Sequence, residues 1–194
     1  DGYIDGKLTG ANNTGNGGAF YVYNGSVYID GWVTITGNKA KNGAAIYWES
    51  ANTLVLTAAI IQGNEAQENG GGIYGTDWGD MYFGGNAIVS GNTDKNSENN
   101  NLYLEDDDVY VNLTAGQSED IPNIPFVQGA SIGITAYNPQ SLISGSDSCF
   151  GWDDHDYFFS DSDKYFIRRA YDAGGENNEY KLYIDYIENI TEPA

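Results

Sequence analysis

A pattern of about a dozen residues recurs along the first half of the chain, and no other feature constrains the fold as strongly. It consists of a Gly-Asn turn, a polar linker and a small-apolar-Tyr segment, as in residues 36–47 and 62–74. A third copy runs over residues 90–103, and a degenerate first copy occupies residues 9–21. Such self-similarity indicates a repeat architecture in which each repeat stacks on its neighbours.

The spacing of the copies indicates the kind of repeat. The apolar residues that precede the tyrosines are Phe20, Ile46, Ile73 and Leu102, and successive members are 26, 27 and 29 residues apart. This is about the perimeter of a three-strand solenoid coil, and frequent Gly-Gly and Asn-Gly pairs disfavour helical repeats of similar length. We therefore predict an all-β chain, with a right-handed parallel β-helix of about four coils over residues 1–105.

Strand-like alternation supports this prediction. A strand precedes each Gly-Asn turn, and its apolar residues recur at equal offsets, so one face should point inward. A further strand per coil is expected at residues 27–29, 54–56 and 81–83. The predicted inward residues are Val33, Ile35, Ala59, Ile61, Ala87 and Val89.

Two side-chain ladders follow from this register. Asn38, Asn64 and Asn92 should lie above one another at one corner, where Asn tolerates left-handed backbone geometry after Gly and stacked amides can hydrogen-bond along the axis. On the outer face, Tyr21, Tyr47, Tyr74 and Tyr103 should form a row, spaced by about 4.8 Å. The Tyr row is a candidate ligand-binding stripe for sugars or proteins, or simply a contact that stabilises neighbouring coils.

The repeat resembles a family of surface proteins. Its Gly-Gly-Ala-Phe-Tyr, Asn-Gly-Ala-Ala-Ile-Tyr and Asn-Gly-Gly-Gly-Ile-Tyr segments are similar to the repeats of β-helical surface adhesins of gut Firmicutes and methanogens, and to those of chlamydial polymorphic outer-membrane proteins. The Phe-x-x-Asn motif of the chlamydial proteins is missing. The resemblance covers residues 1–105 and implies a surface-exposed β-helix.

The repeat stops after Leu104, and the remaining sequence predicts further strands. These are expected at residues 109–114, 130–135, 164–169 and 179–186, with a turn at 173–178. Residues 129–135, 164–166 and 180–184 resemble the closing segments of β-helices in large clostridial surface proteins. We therefore expect an all-β capping region over residues 106–194, which covers the open end of the last coil.

Charge and composition exclude some partners. The formal net charge of −20 repels phosphate backbones and anionic lipids, so nucleic-acid and membrane-surface binding are not expected. The sequence contains no run of eighteen apolar residues, so membrane insertion of this segment is not expected. Cys149 is the single cysteine, so no intrachain disulfide is expected. The first residue is Asp1 and not Met, and we therefore interpret the chain as a segment cut from a longer surface protein.

The remaining polar residues include candidates for metal binding but none for catalysis. Calcium accepts oxygen ligands from flexible carboxylates, and the candidates lie in one acidic stretch, although no Asp-x-Asp-x-Asp-Gly loop is present and the stretch can equally be a solvated surface. The only histidine, His155, is not beside a nucleophile motif, and no catalytic residue is predicted. The candidate metal ligands are Asp153, Asp154, Asp156, Asp161 and Asp163.

These observations favour a non-catalytic segment of a bacterial surface protein, extracellular and located at the cell surface or cell wall. Such a segment would bind or present a ligand, with a glycan or a host surface protein as the expected partner and the rest of a longer surface protein attached to it. A structural stalk or spacer is the first alternative, because fold does not decide function. A β-helical polysaccharide lyase or hydrolase is the second, and it would need opposed carboxylates across a groove.

Overall fold

The computed structural model describes residues 6–10, 12, 14–49, 53–76, 79–105, 109–115, 121–136, 154–171 and 180–186. These residues form a parallel β-solenoid of about four coils, closed at one end by further strands, and the predicted fold class is confirmed. Each complete coil contributes one strand to each of four columns, and the strands of a column pair in parallel.

The strands of the first column carry the Tyr row, and the second column follows the first column after the next corner of the coil. The first column contains β2 (Phe20–Tyr23), β6 (Ile46–Glu49), β10 (Ile73–Thr76) and β14 (Leu102–Leu104). The second contains β3 (Val27–Ile29), β7 (Thr53–Leu56), β11 (Gly79–Phe83) and β15 (Val109–Leu113).

The third column precedes the Gly-Asn turn, and the fourth is a two-residue strand just after it. The third contains β1 (Gly6–Thr9), β4 (Val33–Thr36), β8 (Ile60–Ile61) and β12 (Ile88–Val89). The fourth contains β5 (Lys39–Ala40), β9 (Glu65–Ala66) and β13 (Thr93–Asp94). Three strands per coil were predicted, and the structure has a short fourth strand within the polar linker.

The register agrees with the predicted alternation. Ile46 pairs with Phe20 and Ile73, and Ile73 pairs with Leu102, so the apolar residues stack along the axis. All six residues predicted to point inward from the third column are buried. The core also holds Trp48, which is fully buried beside Gly75; a Cβ atom at Gly75 would collide with the Met81 side chain.

The turns place left-handed geometry on glycine. Gly37, Gly63 and Gly91, which precede the three ladder asparagines, have φ values of 67°, 65° and 67°. The asparagines were expected to tolerate this conformation, but the positive φ falls on the preceding residue, where no Cβ atom opposes it.

The fourth coil takes a shortcut across the solenoid. Strand β16 (Ser131–Ala136) pairs with β12 through its first two residues and with β14 through its last three. It therefore runs directly from the third column to the first and skips the fourth column. The parallel ladders thus continue past residue 105 through β15 and β16, and the division of the chain at that residue stays a prediction.

The cap follows this shortcut strand. A 3-10 helix (Asp154–Tyr157) leads into β17 (Phe158–Ser160), which pairs in parallel with β16. Strands β18 (Tyr165–Tyr171) and β19 (Tyr180–Tyr186) then form an antiparallel hairpin. Leu182 and Ile184 of the hairpin are buried in the same core cluster as the solenoid, so the hairpin covers the last coil.

Candidate functional site

The predicted Asn ladder is present and runs through the buried corner. The side-chain oxygen of Asn64 accepts hydrogen bonds from the backbone N–H and the amide of Asn38, at 3.0 and 2.9 Å. The side-chain oxygen of Asn92 accepts the same two bonds from Asn64, at 3.2 and 2.9 Å. All three side chains are almost fully buried. The ladder therefore has a direction, since every step donates toward the cap.

The ladder continues through two residues that the spacing does not reveal. Asn92 donates to the side-chain oxygen of Asn101, nine positions later, from its backbone and its amide at 2.8 and 3.0 Å. Asn101 in turn donates to Asp161, through its backbone N–H at 2.6 Å and its amide at 2.5 Å. Thr135 donates its hydroxyl to the same carboxylate at 2.8 Å. A carboxylate suits the end of a donating chain because it only accepts.

Asp161 is a partly buried titratable group between the last coil and the cap. Its burial raises the pKa of the carboxyl above the ordinary value, and the hydrogen bonds from Asn101 and Thr135 offset part of that effect. Asp161 was predicted as a calcium ligand, but both of its oxygens accept hydrogen bonds from the protein. The structure thus gives this carboxylate a position at the junction of solenoid and cap.

The predicted Tyr row also forms, with rings stacked face to face. Ring centroids of Tyr21 and Tyr47, Tyr47 and Tyr74, and Tyr74 and Tyr103 are 5.3, 5.1 and 5.2 Å apart. The interplanar angles are 9°, 10° and 17°, so each inner ring has another ring over both of its faces. Sugar stacking needs an open ring face. The rings at the two ends of the row, Tyr21 and Tyr103, each have a stacked ring of the row on one face only.

The exposure of the row is uneven for the same reason. Tyr21 is 54% exposed, whereas Tyr74 in the third coil is 6% exposed. Each of these hydroxyls donates to a carboxylate of the following coil, two residues after the next Tyr of the row. Tyr21 donates to Glu49 and Tyr74 donates to Glu105, both at 2.5 Å. Burial and the bond to Glu105 raise the pKa of Tyr74 well above its ordinary value.

Among the described residues, the most exposed aromatic side chains lie on the first coil. Four aromatic side chains there are 47% to 73% exposed, and they lie on β2, on β3 and in the turn before β4. We call this set the coil-1 aromatic surface. It consists of Tyr21, Tyr23, Tyr28 and Trp32.

The shortcut taken by β16 leaves a cavity of about 590 Å³ beside the skipped corner. The loop after β13 folds back on that strand, with an antiparallel bridge between Thr93 and Asn99, and forms one wall. The end of β16, the cap loop and Ile184 form the other walls. Its charged lining residues are Asp94, Glu98, Asp161, Asp163 and Lys164.

The predicted calcium ligands are scattered. Asp163 is exposed at the cavity, Asp156 is exposed beside His155 at 3.3 Å, and Asp161 ends the Asn ladder. Asp153 and the side chain of Asp154 lie outside the described residues. In the described part of the chain, no group of three or more His, Cys, Asp or Glu side chains could hold a metal ion. Calcium binding stays a prediction.

No family model, curated protein or solved structure matches the chain in any of three comparisons. Within the described ranges, no helix is both long enough and apolar enough to cross a membrane.

Proposed function

We propose that the chain is a non-catalytic segment of an extracellular surface protein, a rigid solenoid that presents the coil-1 aromatic surface to a glycan. The observation that carries this proposal is the position of the exposed aromatic rings, which are gathered on one coil instead of being spread along the Tyr row. Aromatic side chains with a polar end are suited to sugar rings, whose C–H faces pack on them while hydroxyls form hydrogen bonds.

A neutral or basic glycan fits this surface better than an acidic one. The chain has a formal net charge of −20, and Glu49 and Asp30 accompany the aromatic residues on the first two coils. Like charges would oppose a uronate or sialylated polymer.

The two carboxylates beside the Tyr row support a non-catalytic role for that face. Glu49, at the end of β6, and Glu105, just after β14, each accept a hydrogen bond from a Tyr hydroxyl. They follow one another along the same face, two coils apart, instead of facing each other across a groove as a hydrolase needs.

A glycan array with the purified chain tests the proposal. We expect selective binding by the wild type and at least a tenfold weaker signal for the Tyr28→Ala, Trp32→Ala double variant, since a stacked aromatic contributes on the order of 1 kcal/mol. Phe159→Ala is the matched control, because Phe159 is an exposed aromatic residue at the opposite end of the molecule. Equal binding by the double variant and the wild type would refute the proposed surface.

A structural spacer is the second candidate function, and the covered rings of the Tyr row favour it. Stacking between Tyr47, Tyr74 and their neighbours stabilises contacts between coils without any ligand. A complete lack of selective glycan binding by the wild type, with or without added calcium, would favour this function.

A further inference from the structure

The cavity beside the skipped corner is lined entirely by described residues, and hydrogen bonds hold its walls in place. The carboxylate of Asp94 closes the loop after β13, because it accepts hydrogen bonds from the backbone N–H groups of Asn96 and Glu98 at 2.7 and 3.0 Å. In the cap loop, the hydroxyl of Ser160 accepts a hydrogen bond from the N–H of Ser162 at 3.2 Å. The volume of about 590 Å³ is in the range of small-molecule sites.

One buried amide on the wall has hydrogen-bonding capacity that the described residues do not use. Asn100 lines the cavity and is only 7% exposed. Its side-chain oxygen accepts a hydrogen bond from the N–H of Gly70 at 2.6 Å, whereas its amide nitrogen has no partner among the described residues. The fully enclosed side-chain atoms without a partner in the described structure belong to Trp48, Thr57 and His155, so the Asn100 nitrogen retains accessible surface. Its N–H groups are therefore available at the cavity wall.

Other amides of the stack are paired. The amide nitrogen of Asn42, in an earlier polar linker, donates to the carboxylate of Glu68 at 3.4 Å. The amide nitrogen of Asn101, next to Asn100, donates to Asp161. Asn100 differs because the described strands of the fourth column end at β13, beside the cavity.

The exposed charged side chains at the cavity are also unpaired. Glu98, Asp163 and Lys164 form no side-chain hydrogen bond or ion pair with any described residue. With Asp94 and Asp161, the lining contains four carboxyl groups and one ammonium group. An anionic ligand is therefore repelled.

These groups fit a ligand that both accepts and donates hydrogen bonds. The amide nitrogen of Asn100 needs an acceptor, and an ammonium ligand has none. The carboxylates of Glu98 and Asp163 need donors, and a hydroxyl group supplies both functions. The partly buried Tyr165 and Ala136 add an aromatic ring and a methyl group to the lining, on which the C–H face of a sugar ring can pack.

We propose that this cavity binds a neutral saccharide of one or two rings, with Asn100 donating to a sugar oxygen and the carboxylates of Glu98 and Asp163 accepting from sugar hydroxyls. The shortcut of β16 from the third column to the first creates the site, because a continued fourth column would fill this corner. The site lies between the last coil and the cap, so it is separate from the coil-1 aromatic surface and does not depend on the proposed function.

Isothermal titration calorimetry with the intact chain tests the proposal. The probes are the neutral sugars glucose, galactose, N-acetylglucosamine, maltose, cellobiose and lactose, with spermidine as a cationic probe and digalacturonate as an anionic one. We expect saturable binding of at least one neutral sugar and none of digalacturonate. Binding of spermidine alone, or no saturable binding of any neutral sugar at millimolar concentration, would overturn the proposal.

Isosteric variants test the role of the unpaired amide. Asn100→Asp keeps an oxygen for the N–H of Gly70 but replaces the amide donor by an acceptor, and it should weaken sugar binding about tenfold or more. Gln62→Glu is the matched control, because it makes the same chemical change at an exposed residue that does not line the cavity, and it should change the affinity by less than about twofold. Equal affinities for wild type and Asn100→Asp would contradict the proposal.

A second variant keeps the test decisive if Asn100→Asp does not fold, which thermal unfolding reveals. Glu98→Ala removes an exposed carboxylate without a side-chain partner among the described residues, and it should weaken sugar binding about threefold or more. An unchanged affinity in Glu98→Ala would then count against the site.

The Tyr28→Ala, Trp32→Ala double variant separates this site from the coil-1 aromatic surface. It should bind the same free sugars as the wild type in the calorimeter, whatever the result of the glycan array. Loss of sugar binding in the double variant, with binding retained in Asn100→Asp, would assign the sugar to the coil-1 aromatic surface and overturn the cavity site.

Discussion

The Asn ladder and the Tyr row repeat once per coil at the same register, but they stabilise the solenoid in different ways. The Asn side chains are buried, and each step consists of two hydrogen bonds that point toward the cap. The Tyr rings lie on the outer face and contact each other through stacked π-surfaces, with exposure that varies strongly from coil to coil.

The two ladders also end differently. The Asn ladder has a dedicated terminus in Asp161, because a buried donor without an acceptor is costly. Among the described residues, the row of stacked rings has Tyr21 at its other end, and this side chain is 54% exposed. The burial of the side chains and the direction of their hydrogen bonds, more than repetition, therefore determine how much each residue of a ladder contributes to stability.

The largest effect is expected from breaking the Asn ladder in its middle. Asn64→Ala removes the acceptor of two buried donors of Asn38 and the side-chain amide that donates to Asn92, so we expect a loss of about 4 kcal/mol in the free energy of unfolding. Urea unfolding measures this loss. Gln62→Ala, two residues away with an exposed side chain, is the control and should stay within about 0.5 kcal/mol. Equal effects would show that the ladder contributes no special stability.

The end of the ladder should respond next most strongly. Asp161→Ala leaves two donors of Asn101 without their acceptor, and we expect a loss of about 3 kcal/mol. Asp161→Asn keeps one acceptor oxygen and should cost about 1 kcal/mol or less. A similar loss in both variants would indicate that packing, and not the acceptor, matters at this position.

The pH dependence of Asp161 has a defined sign. Because burial raises its pKa in the folded chain, its contribution to stability is fully present below the ordinary value of 3.8 and declines as the pH rises through the folded-state pKa. The stability of the wild type relative to Asp161→Asn should therefore decrease between pH 3.8 and neutrality. Urea unfolding at several pH values measures it, and an increase over that range would contradict the assignment.

The smallest effect concerns two chemically equal hydroxyls of the Tyr row. Tyr74→Phe removes a partly buried hydrogen bond to Glu105 and should cost about 1 kcal/mol, whereas Tyr21→Phe removes an exposed bond to Glu49 and should cost less than about 0.5 kcal/mol. Thermal unfolding compares the two variants. An equal loss of stability in the two variants would mean that burial does not affect how much these hydroxyls contribute.

Much of the stacked part could be predicted from sequence because its determinants are local and repeat. The offsets between Ile46, Ile73 and Leu102 define the register, and a strand period of two then assigns inward and outward faces. The Asn ladder followed from the same offsets. The uneven exposure of the Tyr row did not, because each ring is covered by rings of the neighbouring coils, and exposure depends on their packing.

What the sequence by itself determined is the periodic part of this protein: an all-β solenoid, its register, and the residue types that stack at its corners. Only the tertiary structure decided where that period ends. Asn101 follows Asn92 by nine residues, and Asp161 lies sixty residues beyond Asn101, so neither keeps the spacing of the repeat. Termination depends on how distant chain segments fold back on the last coil, and contacts of that kind leave no periodic signal in a single sequence.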